Sequence, residues 1–168
     1  MGLFDCIKGM LGRRAKVSAS ADRWNLEELA RRLDIAPDEL QNIKPTYSKF
    51  TIPKRSGGRR TILAPTPELK QLQRRILRRL LAKLRTHPGA MGFEKGRSIV
   101  TNARPHVQAD IVIRMDIRDY FGSTPAQRIN AFWRYIGWDK PSADILTNLC
   151  TYNGALPQGA PTSPRLSL

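Results

Sequence analysis

One run, DIVIRMDI from Asp110 to Ile117, constrains the fold more than any other part of the sequence. Its apolar residues recur at every second position, which is the period of a β-strand with one buried face. Such a strand must pair within a sheet and cover its apolar side. We therefore predict a strand here, with Asp116 at its end and on the face opposite the apolar one. The apolar face comprises Ile111, Ile113, Met115 and Ile117.

The position of Asp116 at the end of a predicted strand suggests a ligand-binding site. A hard divalent cation prefers carboxylate oxygen held at a fixed point on a rigid element. A lone aspartate at a strand end is also a common cap or turn residue. The neighbours favour the site, because Asp119 can order the next turn and Phe121 can place a flat ring beside it. A second loop, residues 157–164, adds amide, glycine and hydroxyl groups.

The first half of the chain reads as helices around a basic hairpin. Asn25 and Glu28 give a helix start signal before an apolar stripe, and Pro37 begins a second short helix. Alternation on both sides of the tip at residues 56–58 predicts a β-hairpin. Helical spacing of leucines with arginines between them then predicts a long basic helix over residues 67–85.

The second half of the chain ends in two further predicted helices. The segments beginning at Thr124 and Pro141 have helical patterns, which Gly137 and Gly154 are expected to end. The fold class is therefore α+β. We predict four divisions: a flexible lead-in at 1–24, a helical segment at 25–45, a hairpin-containing part at 46–108 and a sheet-containing part at 109–168.

The charge balance makes nucleic acid the expected partner. The 168 residues include 29 Lys and Arg against 14 Asp and Glu, a formal net charge of +15. Between residues 70 and 109 Glu94 is the single acid among many Lys and Arg. Such a run can be a solvated helix face, or it can be a track for phosphate groups. The second interpretation gains support from the basic hairpin, whose glycine tip lets backbone amides approach phosphate.

Cysteine use and hydropathy favour a cytoplasmic protein without a membrane partner. Cys6 and Cys150 follow no metal-ligand spacing and are expected to be free thiols in a reducing compartment. No apolar run approaches the length of a membrane span, and the first residues are too interrupted for a secretory signal.

Four motifs in a fixed order resemble the fingers and palm of reverse transcriptases. They are IPKRSGGRRTI, GFEKGRS, MDIRDYFGS and LPQGAPTSP. Asn102, Ala103 and His106 resemble the Asn-Ala-x-x-His signature of the bacterial retron type. A buried structural histidine is the alternative for His106. The resemblance implies N-terminal helices, basic hairpin fingers with the retron-like segment at 46–108, and an incomplete right-hand polymerase palm at 109–168.

The resemblance also implies roles for residues around the predicted strand. In the family, the position of Asp116 supplies a carboxylate to two magnesium ions, and the carbonyl of Ile117 assists. Asp119 is expected to order the turn and the nucleotide pocket. Phe121 falls where the family has its steric gate against a ribose 2′ hydroxyl, although core packing is the simpler role for such a ring. The remaining nucleotide-binding positions are Lys54, Arg60, Tyr120, Gln158 and Gly159.

Nucleic-acid contacts are expected on the hairpin, the basic helix and the retron-like segment. The resemblance and the charge pattern together implicate Arg55, Arg59, Arg74, Arg75, Arg78, Arg79, Lys95, Arg97, Asn102 and His106. The implied partners are a structured RNA template and primer, the nascent DNA and a deoxynucleoside triphosphate. The implied activity is RNA-directed DNA polymerisation, copying a structured non-coding RNA, within an anti-phage system.

One family motif is missing from the sequence. The aromatic-x-Asp-Asp hairpin that carries the other metal carboxylates does not occur. One aspartate and one carbonyl cannot hold two dications, so this chain alone is expected to be inactive. A second polypeptide carrying the rest of the palm and the thumb is one expectation, and a truncated copy is the other. We also expect exposed apolar surface around Leu149, Leu156 and Leu166, where the absent strands would pack.

Two alternatives to a polymerase remain at this point. The basic fingers could belong to a non-catalytic RNA-binding module. The first two predicted helices also have the spacing of a helix-turn-helix regulator. Asp38 and Glu39 at the start of the second helix oppose that interpretation, because phosphate would repel them.

Overall fold

The computed structural model describes residues 24–55 and 57–168. The predicted lead-in therefore lies outside the described residues, except for Trp24. The elements follow in this order: α1 (Leu26–Leu33), α2 (Pro37–Asn42), β1 (Tyr47–Pro53), β2 (Arg59–Pro65), α3 (Pro67–Ile76), a π-helical turn (Leu77–Leu81), α4 (Ile99–Ala103), a 3-10 turn (Arg104–His106), α5 (Ala126–Tyr135), α6 (Lys140–Cys150) and α7 (Ser163–Leu166).

Helix α1 begins where the sequence predicts. The Asn25 side chain accepts a hydrogen bond of 3.1 Å from the Glu28 amide. Asp34 ends the helix in the left-handed conformation, with φ at 56°. Leu29 and Leu33 are completely buried, so the apolar stripe faces the core. The helix thus gains its stability from packing as well as from its caps.

The predicted hairpin is present as two antiparallel strands. Tyr47 pairs with Pro65 at one end and Pro53 pairs with Arg59 at the other. Gly57 and Gly58 both have positive φ, at 85° and 79°, and the Lys54 amide bonds to the Gly58 carbonyl at 3.0 Å. Glycine adopts this conformation without steric cost, which explains the glycine pair at the tip.

The core lies between α1, α3, α5 and α6. Its largest fully buried side chains include Trp133, Trp138, Ile129 and Leu146. Trp24 joins the start of the described chain to this core, because its amide donates to the Gly137 carbonyl at 3.2 Å. The Arg32 guanidinium lies over the Trp24 ring at 4.4 Å, which adds a cation–π contact.

The predicted strand at residues 110–117 is wrong for this structure. Residues 111–117 have no regular secondary structure, and no sheet other than the hairpin forms within the described ranges 24–55 and 57–168. Ile111, Ile113 and Met115 are 81%, 79% and 89% exposed instead of facing a core. A strand needs a partner for its amides and carbonyls, and the described residues offer none here.

The predicted exposure around the last helices is also wrong in part. Leu149 and Leu156 are buried in the core, and Leu166 is half-buried against it. Residues 111–117 are among the segments whose large apolar side chains are exposed instead. Helix α6 also ends at Cys150, four residues before the Gly154 that was expected to stop it. Within the described residues, none of the helices has the length and apolar character needed to cross a bilayer.

Candidate functional site

A cavity of the described residues lies between the hairpin and the turn that follows residue 117. Its volume is about 1000 Å³. Eight residues predicted for catalysis, metal or nucleotide binding line it together, although they come from positions as far apart as 54 and 158. They are Lys54, Arg60, Asp116, Ile117, Asp119, Tyr120, Phe121 and Gln158.

The hairpin supplies most of the positive charge of the cavity. Lys54 and Arg60 flank its tip, and Arg59 lies beside them. The Arg59 Nε donates a 2.8 Å hydrogen bond to the Thr51 hydroxyl, which orients the guanidinium. Arg55, on the turn itself, is exposed and is not part of the cavity lining. Oriented guanidinium groups on an antiparallel ribbon suit an anionic ligand with several oxygens.

The turn from Asp119 to Gly122 forms the opposite wall. Asp119 has a positive φ of 48°, and its carbonyl accepts from the Ser123 amide at 2.8 Å. Its carboxylate covers Gly122 so closely that a Cβ on Gly122 would collide with it. The Asp119 carbonyl thus contributes a hydrogen bond that closes the turn. The Tyr120 hydroxyl donates to the Ser167 carbonyl at 2.6 Å, which ties the turn to the last helix.

Phe121 lies both at the cavity and against the core. Its ring lines the cavity, and it also packs as a half-buried side chain against the hydrophobic core. The Tyr120 and Phe121 rings lie 5.6 Å apart and are tilted, a favourable aromatic arrangement. Core packing thus holds the ring in place without removing it from the cavity.

The loop containing Gln158 and Gly159 is joined to strand β2. The Leu63 amide donates to the Gln158 carbonyl at 2.8 Å. Gly159 has a φ of 129°, and a Cβ there would come within 2.8 Å of the Leu63 carbonyl oxygen. Gly159 is absent from the cavity lining, so its role is to allow this close approach, which positions Gln158.

A buried glutamine of α3 holds an aromatic side chain that packs behind the cavity lining. The Gln73 amide donates to the Tyr47 hydroxyl and to the Leu149 carbonyl, both at 2.8 Å. Burial raises the pKa of Tyr47, so its phenol stays protonated at ordinary pH. The Tyr47 ring packs 5.0 Å from that of Tyr152, which lines the cavity. Buried α3 thereby fixes a side chain at the site.

The four predicted arginines of the basic helix divide into two pairs. Arg75 donates to the carbonyls of Leu33 and Asp34 at 3.0 and 3.1 Å, and Arg79 donates to that of Arg32 at 2.8 Å. Both thus satisfy carbonyls at the end of α1. Arg74 and Arg78 are exposed, with no hydrogen bond or ion pair to any part of the chain that the structure describes.

The retron-like segment lies on the surface. Asn102 is exposed on α4, and His106 is exposed in the 3-10 turn, so the alternative of a buried structural histidine is wrong. Lys95 and Arg97 are exposed in the preceding loop. Neighbouring Glu94 forms an ion pair with Arg165, which also donates to the Leu84 carbonyl. The acid of this basic region therefore anchors the loop to α7.

The described residues do not fit a two-metal site. No group of three His, Cys, Asp or Glu side chains that could hold a metal ion occurs in residues 24–55 and 57–168. Asp116 and Asp119 are the carboxylates of the cavity lining. Two dications need more oxygen ligands than these provide.

Several residues that line the cavity were not predicted from the sequence. Lys49 and Thr61 share one face of the hairpin, and its alternation could have identified them. Asn153 lies in a tight turn with φ at 48°, next to Gly154. The Asn-Gly dipeptide was a usable turn signal. Arg118 carried no such signal, because no pattern in the adjacent residues predicted the path of the backbone there.

The chain is similar in sequence to curated reverse transcriptases, although no protein-family model matches it. It is 36% identical over 149 residues to the retron Ec86 reverse transcriptase of Escherichia coli, covering 85% of this chain and 47% of the relative. It is 34% identical over 180 residues to the retron Mx162 reverse transcriptase of Myxococcus xanthus, covering 92% of this chain and 37% of the relative. It is 40% identical over 138 residues to the retron Mx65 reverse transcriptase of Myxococcus xanthus, covering 71% of this chain and 32% of the relative.

The sequence similarity is first to reverse transcriptases as a class. Within that class it is to the retron reverse transcriptases, and it extends over a portion of their length. It spans less than half the length of these relatives.

Proposed function

We propose that the chain provides the nucleotide-binding side of a retron-type RNA-directed DNA polymerase. The observation that carries the proposal is the cavity in which Lys54 and Arg60 face Asp116 and Phe121. These residue types can bind a triphosphate, a metal-bound phosphate and a sugar. Their meeting in one cavity, from distant parts of the sequence, is what a nucleotidyltransferase site requires.

In this proposal the hairpin cations bind the triphosphate of the incoming nucleotide. Arg60 can meet two phosphate oxygens with its planar fork, and Lys54 adds a mobile point charge. Phe121 limits the space beside the sugar and so disfavours a ribose 2′ hydroxyl. Gln158 lines the pocket from a loop whose backbone is fixed to Leu63.

Magnesium enters the proposal only with further ligands. Asp116 and the carbonyl of Ile117 would contribute to holding two Mg²⁺ ions once other carboxylates are supplied. We propose that a second polypeptide, or a further part of the same protein, carries those carboxylates with the rest of a right-hand palm and the thumb. The metal would supply charge neutralisation during phosphoryl transfer.

Exposed cations are proposed to bind the RNA template and primer and the nascent DNA. Arg74 and Arg78 are free on α3 and the π-helical turn, and Lys95, Arg97 and His106 lie on the surface. Phosphate contacts of this kind give affinity that falls with salt. A structured non-coding RNA as template, a cytoplasmic location and a part in anti-phage defence complete the proposal.

A complementation assay tests the polymerase proposal. The chain would be mixed with a polypeptide carrying the remaining part of a retron reverse transcriptase, a primed RNA and the four deoxynucleotides. We expect DNA products, and we expect Asp116→Ala to reduce them by about a hundred-fold or more. Asp110→Ala is the matched control, because Asp110 is exposed and outside the cavity. Its product yield should equal that of the unmodified chain.

A non-catalytic RNA-binding module is the second candidate. The observation in its favour is the lack of a metal-holding group among residues 24–55 and 57–168. In the same assay this candidate predicts RNA binding with no DNA product in any mixture. Equal product from the Asp116→Ala and Asp110→Ala variants would likewise contradict the proposed site.

A further inference from the structure

The inner face of the hairpin carries cations beyond the two that flank its tip. Lys49 pairs across the ribbon with Leu63, and Thr51 pairs with Thr61. Directly opposite residues of an antiparallel pair point to the same side of the sheet. Lys49, Thr61 and Leu63 all line the cavity, so this face looks into it. The alternate face carries Phe50 and Ile52, which are exposed. Arg60 pairs with Ile52 on that alternate face and reaches the cavity from the end of the ribbon.

Arg59 belongs to the same inner face. It pairs with Pro53, two positions along from the Thr51–Thr61 pair. Its bond to the Thr51 hydroxyl holds the guanidinium along the ribbon, toward the side on which Lys49 lies. A guanidinium that is already oriented loses less conformational freedom when it binds a ligand.

The charge of the cavity calls for an anion with more than one phosphate. Its lining includes the cations Lys49, Lys54, Arg59, Arg60 and Arg118. Only Asp116 and Asp119 oppose them, which leaves a net surplus of positive charge in this cavity. A concave, positively charged cavity concentrates polyanions from solution. The surplus means that such an anion needs no divalent cation to offset repulsion by the carboxylates.

We propose that Lys49 and Arg59 form a second phosphate-binding pair, which binds the phosphate chain of a nucleotide or the pyrophosphate released from it, and does so without metal. The proposal rests on the proposed function for the identity of the nucleotide. It assigns a role to Lys49 and moves Arg59 from the nucleic-acid surface into the nucleotide site. Thr51 is then a positioning residue that acts through Arg59.

The test is a calorimetric titration of the full chain with inorganic pyrophosphate in the presence of a chelator, at low salt. We expect Lys49→Gln and Arg59→Gln each to weaken binding by about tenfold, since each removes one charge-assisted contact. Thr51→Val should weaken it by a smaller factor, because the arginine remains but loses its orientation. Lys44→Gln and Arg128→Gln are the charge-matched controls, since both residues are exposed and outside the cavity.

A parallel titration with a short RNA duplex separates the two sources of phosphate. RNA affinity that falls in Lys49→Gln while pyrophosphate affinity is unchanged would assign the pair to the nucleic-acid backbone and overturn the proposal. Absence of pyrophosphate binding by the unmodified chain, or equal losses in the control variants, would also overturn it. Thermal unfolding followed by circular dichroism would verify that every variant is folded.

The two proposals can fail separately. The titrations require no polymerisation, so a chain that never yields DNA still tests the phosphate pair. In the complemented assay, the pair predicts a higher KM for the deoxynucleotide in Lys49→Gln. An unchanged KM there, together with DNA synthesis that depends on Asp116, would leave the polymerase proposal standing and contradict the role of Lys49.

Discussion

Helix α6 and residues 110–117 have similar apolar content but different surroundings. Leu146 and Leu149 of α6 are buried to within 1% of their surface, whereas Ile111 and Met115 are more than four-fifths exposed. The helix satisfies its backbone hydrogen bonds within its own segment. A strand depends on a neighbour for every one of them. A helical pattern can therefore form without distant segments of the chain, whereas a strand pattern requires its partner strands.

The largest expected difference between the two regions is in amide hydrogen exchange. Residues 111–117 donate no backbone hydrogen bond within the described ranges, whereas α6 is hydrogen-bonded and buried. We expect α6 amides to exchange at least about a thousand-fold more slowly, because their exchange requires opening of the core. Mass spectrometry of peptides from the two regions measures this. Comparable protection would mean that residues 110–117 are ordered in solution and would break the comparison.

Alanine substitutions of one isoleucine in each environment should differ in their effect on stability. Ile129 on α5 is buried to 1% and Ile113 is 79% exposed. Ile129→Ala should lower the free energy of unfolding by about 2–5 kcal/mol, because it removes buried methyl groups and leaves a cavity. Ile113→Ala should change it by less than about 0.5 kcal/mol. Urea unfolding followed by tryptophan fluorescence gives both values. A large loss in Ile113→Ala would show that this side chain packs against something in solution.

The basic helix contains a smaller version of the same contrast. Arg75 and Arg79 donate hydrogen bonds to carbonyls of α1, whereas Arg74 and Arg78 make no hydrogen bond or ion pair within the described residues. Replacing Arg75 and Arg79 together by Gln should cost about 1–2 kcal/mol of unfolding free energy, since the α1 carbonyls lose their donors. The same change at Arg74 and Arg78 should leave stability within about 0.5 kcal/mol.

RNA binding should respond to the two pairs in the opposite way. Neutralising Arg74 and Arg78 should lower the slope of log affinity against log salt by about 2, roughly one per phosphate contact. The Arg75 and Arg79 variant removes the same charge and should lower the slope less. Identical slopes for the two double variants would mean that the capping pair also reaches phosphate, and that the helix has no division of roles.

The sequence predicted the helices and the hairpin well because their signals are local. Asn25 caps α1, the glycines at 57 and 58 form the turn, and apolar spacing marks the buried side of α3. The strand at 110–117 failed because its period is realised only with partners. The prediction was wrong for a physical reason. Alternation indicates which face of a strand would be buried, but not whether another segment is present to cover that face.

The candidate site was predicted partly from its residues and partly from the resemblance. Lys54, Arg60, Asp116 and Phe121 do meet in one cavity, but no local rule could bring them together. The contacts that do so are long-range, such as the bond between Leu63 and Gln158. The sequence also could not predict which arginines of the basic helix contact α1. Arg74 and Arg75 are adjacent in sequence, and only the packed structure shows that Arg75 lies on the side facing α1.

The loop at Gly159 lies directly against strand β2 and is hydrogen-bonded to it through Leu63 and Gln158. We therefore expect the loop and the hairpin to move together. A ligand that draws the hairpin tip inward would also shift Gln158. Recombination between relatives would then have to exchange both segments together, because a hairpin inherited from one parent would meet a loop shaped to fit the other.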